Sequence, residues 1–136
     1  MSGRVFFDTN VLVYAYSNDN QLKRQAALVL GTMPDRWLST QVLIELVNVF
    51  SRKLKTSWPD IQLTLIELTN NHSIHHTTES TIAHATRLAQ RYGFSWFDAL
   101  IVAAALECGC DTLYSEDLSA GQLIEGSLRV VNPFGM

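Results

Sequence analysis

A chain of 136 residues has room for one compact domain, taken here as residues 1–136, and little space for a second. With 47% hydrophobic and 17% charged residues, 7 Gly and 3 Pro, it has the composition of a soluble globular protein. A domain of this size buries roughly two-thirds of its unfolded surface, so neither disulfide nor metal is needed for folding. The net charge of −3 argues against a nucleic-acid partner. Setting aside four carboxylates gathered around a cation leaves the remainder at +1, so charge decides neither way.

In chain order, Arg4-Val5-Phe6-Phe7 predicts a first strand that ends abruptly in Asp8-Thr9-Asn10. Val11, Leu12, Tyr14 and Ala15 continue apolar, and Leu22 to Leu30 carries a helical pattern ended by Gly31. Trp37-Leu38-Ser39 predicts a second strand, after which Thr40 caps a helix from about Gln41 to Leu54. Ser57-Trp58-Pro59-Asp60 starts a helix continuing through Ile61 to Leu68, with Pro near its first position. Ser73 to Thr77 is a strand candidate. Thr78 or Ser80 opens a helix that runs to Tyr92 and stops at Gly93. Ser95-Trp96-Phe97-Asp98 fits a capping box before the apolar helix Ala99 to Cys108. Strands at Asp111–Ser115 and Leu128–Val131 complete the series. Alternating strands and helices predict an α/β fold with a mainly parallel sheet.

Cys108 and Cys110 are the only cysteines, which is no disulfide framework and points to the reducing cytoplasm. With His72, His75, His76 and His84 they match no common structural zinc spacing. Met1 to Phe7 predicts no signal peptide, and the run Ala99 to Leu106 is too short to span a bilayer, so no membrane is expected.

Ligands of parallel α/β folds collect beyond the carboxyl ends of the strands. Asp8 and Asp117 follow strand candidates, and Asp98 opens a helix expected to face the same edge, so one shared acidic site is predicted. Each acid also has a plain structural reading. Asp8 suits a turn or helix cap, Asp98 the third position of a capping box, and Asp117 a loop. The helix beyond Asp98 is apolar on every face, which places its start inside the fold, where a structural carboxylate is costly. In the preceding helix, Val42, Leu46, Val49, Phe50 and Lys53 or Leu54 define the inner face. Glu45 lies on its border beside Gln41, Asn48 and Arg52, where periodicity does not separate a site from a solvated surface.

Four segments together resemble the PIN domain, and more narrowly the VapC-like toxin ribonucleases. They are Phe7-Asp8-Thr9-Asn10-Val11-Leu12-Val13-Tyr14-Ala15, Ser39-Thr40-Gln41-Val42-Leu43-Ile44-Glu45-Leu46, Phe97-Asp98-Ala99-Leu100-Ile101-Val102-Ala103-Ala104-Ala105 and Leu113-Tyr114-Ser115-Glu116-Asp117-Leu118. They stand in the family's order and span nearly the whole chain. The resemblance implies a three-layer α/β fold, a Mg²⁺ or Mn²⁺ site and endonuclease action on RNA. Asp8, Glu45, Asp98 and Asp117 match the family's acidic positions, and Asn10 and Ser115 its supporting polar ones. It further implies a type II toxin with a small cognate antitoxin and a homodimeric state.

Clustered carboxylates need such a cation. Two unit charges ~4 Å apart repel by roughly 4 kcal/mol at an effective dielectric near 20, and all-oxygen ligands select Mg²⁺ or Mn²⁺ over zinc. Asp8 and Asp98 are the expected closest ligands, with Asp117 direct or through water, and Glu45 beside the attacking, metal-activated water. Arg52, Lys53 and Lys55, with Lys23 and Arg24, read either as solvated surface or as phosphate contacts. Trp37, Trp58 and Trp96 read as core or interface residues. Two rival classes exist. A phosphatase needs a second Asp where Asn10 stands, and a receiver domain needs a late Lys, yet none follows Lys55. A catalytically silent PIN fold binding RNA or protein is the remaining alternative.

Overall fold

A computed structural model describes residues 2–134. The elements are β1 (Arg4–Phe7), α1 (Thr9–Ala15), α2 (Asn20–Thr32), β2 (Asp35–Ser39), α3 (Thr40–Arg52), α4 (Trp58–Asn71), β3 (Ser73–His75), α5 (Glu79–Tyr92), α6 (Trp96–Glu107), β4 (Thr112–Tyr114), β5 (Leu123–Ile124) and β6 (Leu128–Val131). The strands form one six-stranded sheet in the order β3-β2-β1-β4-β6-β5, parallel except for the β5–β6 pair. Consecutive residues of a strand point to opposite faces, yet Val5, Phe6 and Phe7 are all buried. Both faces of the sheet are therefore covered, as a parallel sheet requires.

The apolar stretch of α6 explains its position. Ala99 to Ala105 are all buried, because the helix packs against α5, α3 and β2. α3 is amphipathic instead, burying Val42, Leu46 and Phe50 along one stripe. Local chemistry sets the ends. The Ser57 hydroxyl accepts from Asp60 N–H at 3.4 Å, and Thr78 and Thr81 bond reciprocally to open α5. Gly93 closes α5 at φ 74°, a left-handed cap that suits glycine.

The structure corrects several expectations. α2 passes through Gly31 and ends at Thr32, because glycine tolerates a helical φ where no left-handed cap is imposed. Its start is set by Asp19, whose carboxylate accepts from Gln21 and Leu22 N–H at 3.0 and 3.1 Å. Ser39, not Thr40, caps α3, accepting from Val42 N–H at 3.2 Å and leaving Thr40 as its first residue. That helix stops at Arg52, so Leu54 is 49% exposed instead of lying on the inner face. Asp8 caps a short helix, α1, that the apolar run after it did not announce. The two-residue strand β5 was not predicted either; it is too short for alternation to register. No described helix is long and apolar enough to cross a membrane.

The sheet order brings the ends of β2, β1 and β4 side by side. Asp8 N–H donates to the Tyr114 carbonyl at 3.0 Å and Ser115 N–H to that of Val131, also at 3.0 Å. The first residues beyond β1 and β4 are thus locked at one edge.

Candidate functional site

At that edge Asp8 turns from β1 into α1 and is 5% exposed. One carboxylate oxygen accepts from Thr9 N–H and the other from the Ser115 hydroxyl, both at 2.7 Å. Burial pushes the Asp8 carboxyl up to about 6, with the negative charges of Asp98 and Glu45 adding to it and the two hydrogen bonds opposing it. Asp98 is the third residue of α6, where its own N–H donates to the Ser95 hydroxyl at 3.3 Å. Burial raises its carboxyl above the ordinary range, helped by the charges of Asp117 and Glu45 and opposed by the Ser95 hydroxyl.

Asp117 arrives on the loop after β4. Its N–H donates to the Ser115 hydroxyl oxygen at 3.2 Å, and its carboxylate accepts from the Asn10 amide at 3.1 Å. The Asn10 carbonyl oxygen accepts in turn from Glu116 N–H at 3.3 Å, tying α1 to that loop. Oxygens of Asp8, Asp98 and Asp117 lie within 4.8 Å of one another. Glu45 stands outside this triad but lines the same open cleft of about 340 Å³. Its carboxylate accepts from the Thr9 hydroxyl at 2.7 Å and the Gln41 amide at 3.1 Å.

Asp8, Glu45, Asp98, Asp117, Asn10 and Ser115 are thus brought together. Arg52, Lys53 and Lys55 are not: all three are exposed around the end of α3, and none lines the cleft. Of the two residues that hold Glu45, Gln41 is the neighbour the helical pattern places beside it, whereas Thr9 is not connected with it by the sequence. Thr9 sits inside the Asp8-Thr9-Asn10 motif, but nothing local connects it with a residue 36 positions away. The start of α6 is not enclosed as its apolar character suggested. Trp96 is 42% and Phe97 59% exposed, because enclosure begins only at Ala99. Trp58 is likewise exposed, so it and Trp96 are not core residues, whereas Trp37 is half-buried against Arg4.

The donor set fits a hard divalent cation. It is all oxygen, three carboxylates converge, and no Lys, Arg or His lines the cleft to neutralise them. Among the described residues the histidines and cysteines assemble no comparable set, and both cysteines are buried and unpaired.

The chain belongs to the PIN domain family, whose profile matches residues 5–122. A chain of a toxin–antitoxin complex from Klebsiella pneumoniae is similar in structure, with a TM-score of 0.75 and 22% identity over 97% of this chain and 99% of that one. VapC20 of Mycobacterium tuberculosis, described as a sarcin–ricin loop cleaving toxin, has a TM-score of 0.72 and 20% identity, covering 89% of this chain and 97% of its own. FitAcB of Neisseria gonorrhoeae has a TM-score of 0.67 and 19% identity, covering 97% and 99%. At these identities the likeness is one of fold. A search of curated protein sequences returned no match.

Proposed function

We propose that this chain, folded as a single domain, is a Mg²⁺- or Mn²⁺-dependent endoribonuclease and the toxin of a type II toxin–antitoxin pair. The observation that carries this reading is the carboxylate triad in the cleft of a PIN domain. Asp8, Asp98 and Asp117 would hold the cation. Once bound, it polarises the phosphate and eases deprotonation of water.

The chain's own groups do the rest. Ser115 and the Thr9 amide fix both oxygens of Asp8, while Asn10 steadies Asp117. Thr9 and Gln41 hold Glu45 at the cleft wall, where its carboxylate orients the attacking water and accepts its proton. In-line attack then expels the 3′-oxygen, which takes up a proton from water in the open cleft, leaving a 5′-phosphate and a 3′-hydroxyl. No histidine lines the cleft to activate a ribose 2′-hydroxyl instead.

Arg52, Lys53 and Lys55 suit phosphates flanking the cut, away from the acids. A small cognate antitoxin in the cytoplasm and a homodimer complete the reading. The antitoxin is supported by the fold likeness to chains of toxin–antitoxin complexes. Apolar side chains left in water on α2 and α4 (Leu28, Leu63 and Ile66) support a protein partner. A silent binding fold is disfavoured because all four acids are present and share the cleft.

The test is incubation of the protein, freed of any co-purified partner, with total cellular RNA. Fragments bearing 5′-phosphates are expected with Mg²⁺ or Mn²⁺ and none with EDTA. Ends carrying 2′,3′-cyclic phosphate would overturn the mechanism. Intact metal binding without any cleavage would make the chain a binding module.

A further inference from the structure

The cleft has a second wall that the acids do not use. Val49 on α3 and Phe97 and Ile101 on α6 give it an apolar side, and Asn48, one turn beyond Glu45, adds an amide. Phe97 is the outlier of the group. It directly precedes Asp98, it lines the cleft, and it is 59% exposed. The Asn48 amide has no side-chain hydrogen bond among the described residues.

Four carboxylates and no basic side chain line this space. A nucleotide entering it therefore gains nothing from phosphate–cation pairs with the chain at the point of cleavage. Its remaining feature is the flat face of its base, which any aromatic ring can match. A base inside a duplex already has both faces stacked, so only an unpaired one is free to offer a face.

Resting on the nuclease reading, we propose that Phe97 is a stacking platform for an unpaired nucleobase adjoining the scissile phosphate, with the Asn48 amide bonding to that nucleotide. Neither side chain is among the three converging carboxylates, so the contact acts on how the flanking nucleotide is held and not on the cation. The neighbouring Trp96 provides a control. It is an exposed aromatic of the same helix turn, at 42%, but it does not line the cleft.

The experiment uses the full chain, a hairpin RNA containing a site found in the total-RNA digest, or a mixed-sequence loop if none is cut, and a fully paired duplex of the same sequence. Binding is measured by fluorescence anisotropy with Ca²⁺ in place of Mg²⁺, and cleavage by steady-state kinetics with Mg²⁺. Phe97→Ala should weaken loop binding and raise KM by about ten- to a hundredfold, with kcat within about threefold. Phe97→Trp should restore both, whereas Phe97→Leu and duplex RNA should not bind as the wild type binds the loop. Trp96→Ala should match the wild type.

Equal rescue by Leu and Trp would overturn stacking, as would an unchanged KM in Phe97→Ala. So would a change in oligomeric mass caused by Phe97→Ala, because a second copy of the chain would then cover the ring. Loop binding that depends on Phe97 without any cleavage would keep the platform and remove the nuclease. Cleavage indifferent to Phe97 would do the reverse, and the absence of both binding and cleavage would remove both.

Discussion

Asp8 and Glu107 sit on opposite sides of this molecule's polar economy. Glu107, the last residue of α6, keeps a quarter of its side chain in water and is surrounded by donors. His75 Nε2 and the Thr81 hydroxyl both lie 2.8 Å from one of its oxygens, and His84 Nδ1 is 3.7 Å from the other. Asp8 is buried and has two neutral donors, and the other charges acting on it are those of Asp98 and Glu45. A carboxylate surrounded by partners ties elements together, here β3, α5 and α6. A carboxylate buried out of water, with other carboxylates beside it, is destabilising until something positive arrives. The difference separates an acid that ties the fold together from acids that the proposed function assigns to a cation.

The strongest way to break this contrast is to delete one acid from each region. Asp98→Ala is expected to reduce RNA cleavage by about a thousandfold or more, since acids acting on one reaction centre are strongly interdependent. The metal-free fold should lose little, because crowding is relieved. Glu107→Ala should leave cleavage within about threefold and lower stability by about 1–3 kcal/mol, through the donors it leaves unpaired. Cleavage rates and urea unfolding on both variants decide it. Equal losses of activity would mean that the two regions are not distinct.

The contrast sharpens with pH. Asp8 titrates near 6 in the folded protein against an ordinary value of 3.8, so folding favours its protonated form. The contribution of Asp8 to metal-free stability is therefore fullest below the ordinary value and is lost as pH rises through about 6. The gap corresponds to on the order of 3 kcal/mol lost by pH 7.5. Asp8→Asn lacks this loss, so it should melt above the wild type at pH 7.5 and approach it at pH 4. Adding Mg²⁺ or Mn²⁺ should raise the wild-type melting temperature at pH 7.5 and barely move that of the variant. Thermal melts at the two pH values, with and without metal, measure both effects. The same metal response in both proteins would remove Asp8 from the site.

Much of this was legible in the sequence because the site is assembled from ends of elements. A run such as Arg4–Phe7 that stops dead at Asp8 marks both the strand and the acid beyond it. Ser95 and Asp98 likewise mark a helix start. Parallel pairing then places these ends at one edge without any knowledge of side-chain packing. Glu45 was not legible in this way. It sits within α3, and its orientation depends on Thr9, which reaches it across the fold. Gly31 misled for a related reason. A glycine ends a helix only where the chain beyond turns back, and here α2 continues one residue further to Thr32. The exposed faces of Trp58 and Phe97 were equally invisible, since composition counts aromatic residues without saying what covers them.

The smallest expected effect tests the register of the last acid. Glu116 and Asp117 are adjacent and exposed, and composition alone does not say which belongs with Asp8. The backbone separates them. Glu116 contributes its N–H to Asn10, while Asp117 contributes its carboxylate, which the Asn10 amide holds at 3.1 Å. Replacing the Glu116 side chain leaves its N–H in place, so the bond to Asn10 survives. The Glu116 carboxylate faces the Tyr14 hydroxyl, which it drives up to about 12 chiefly through a hydrogen bond. Glu116→Ala should therefore keep cleavage within about twofold, cost roughly 1 kcal/mol at most, and lower the Tyr14 titration, read by ultraviolet absorbance. Asp117→Ala should abolish most cleavage and leave Tyr14 nearly unchanged. If instead Glu116→Ala silences the protein and Asp117→Ala does not, the acid opposite Asp8 is Glu116, and the loop after β4 closes one residue earlier in the working enzyme.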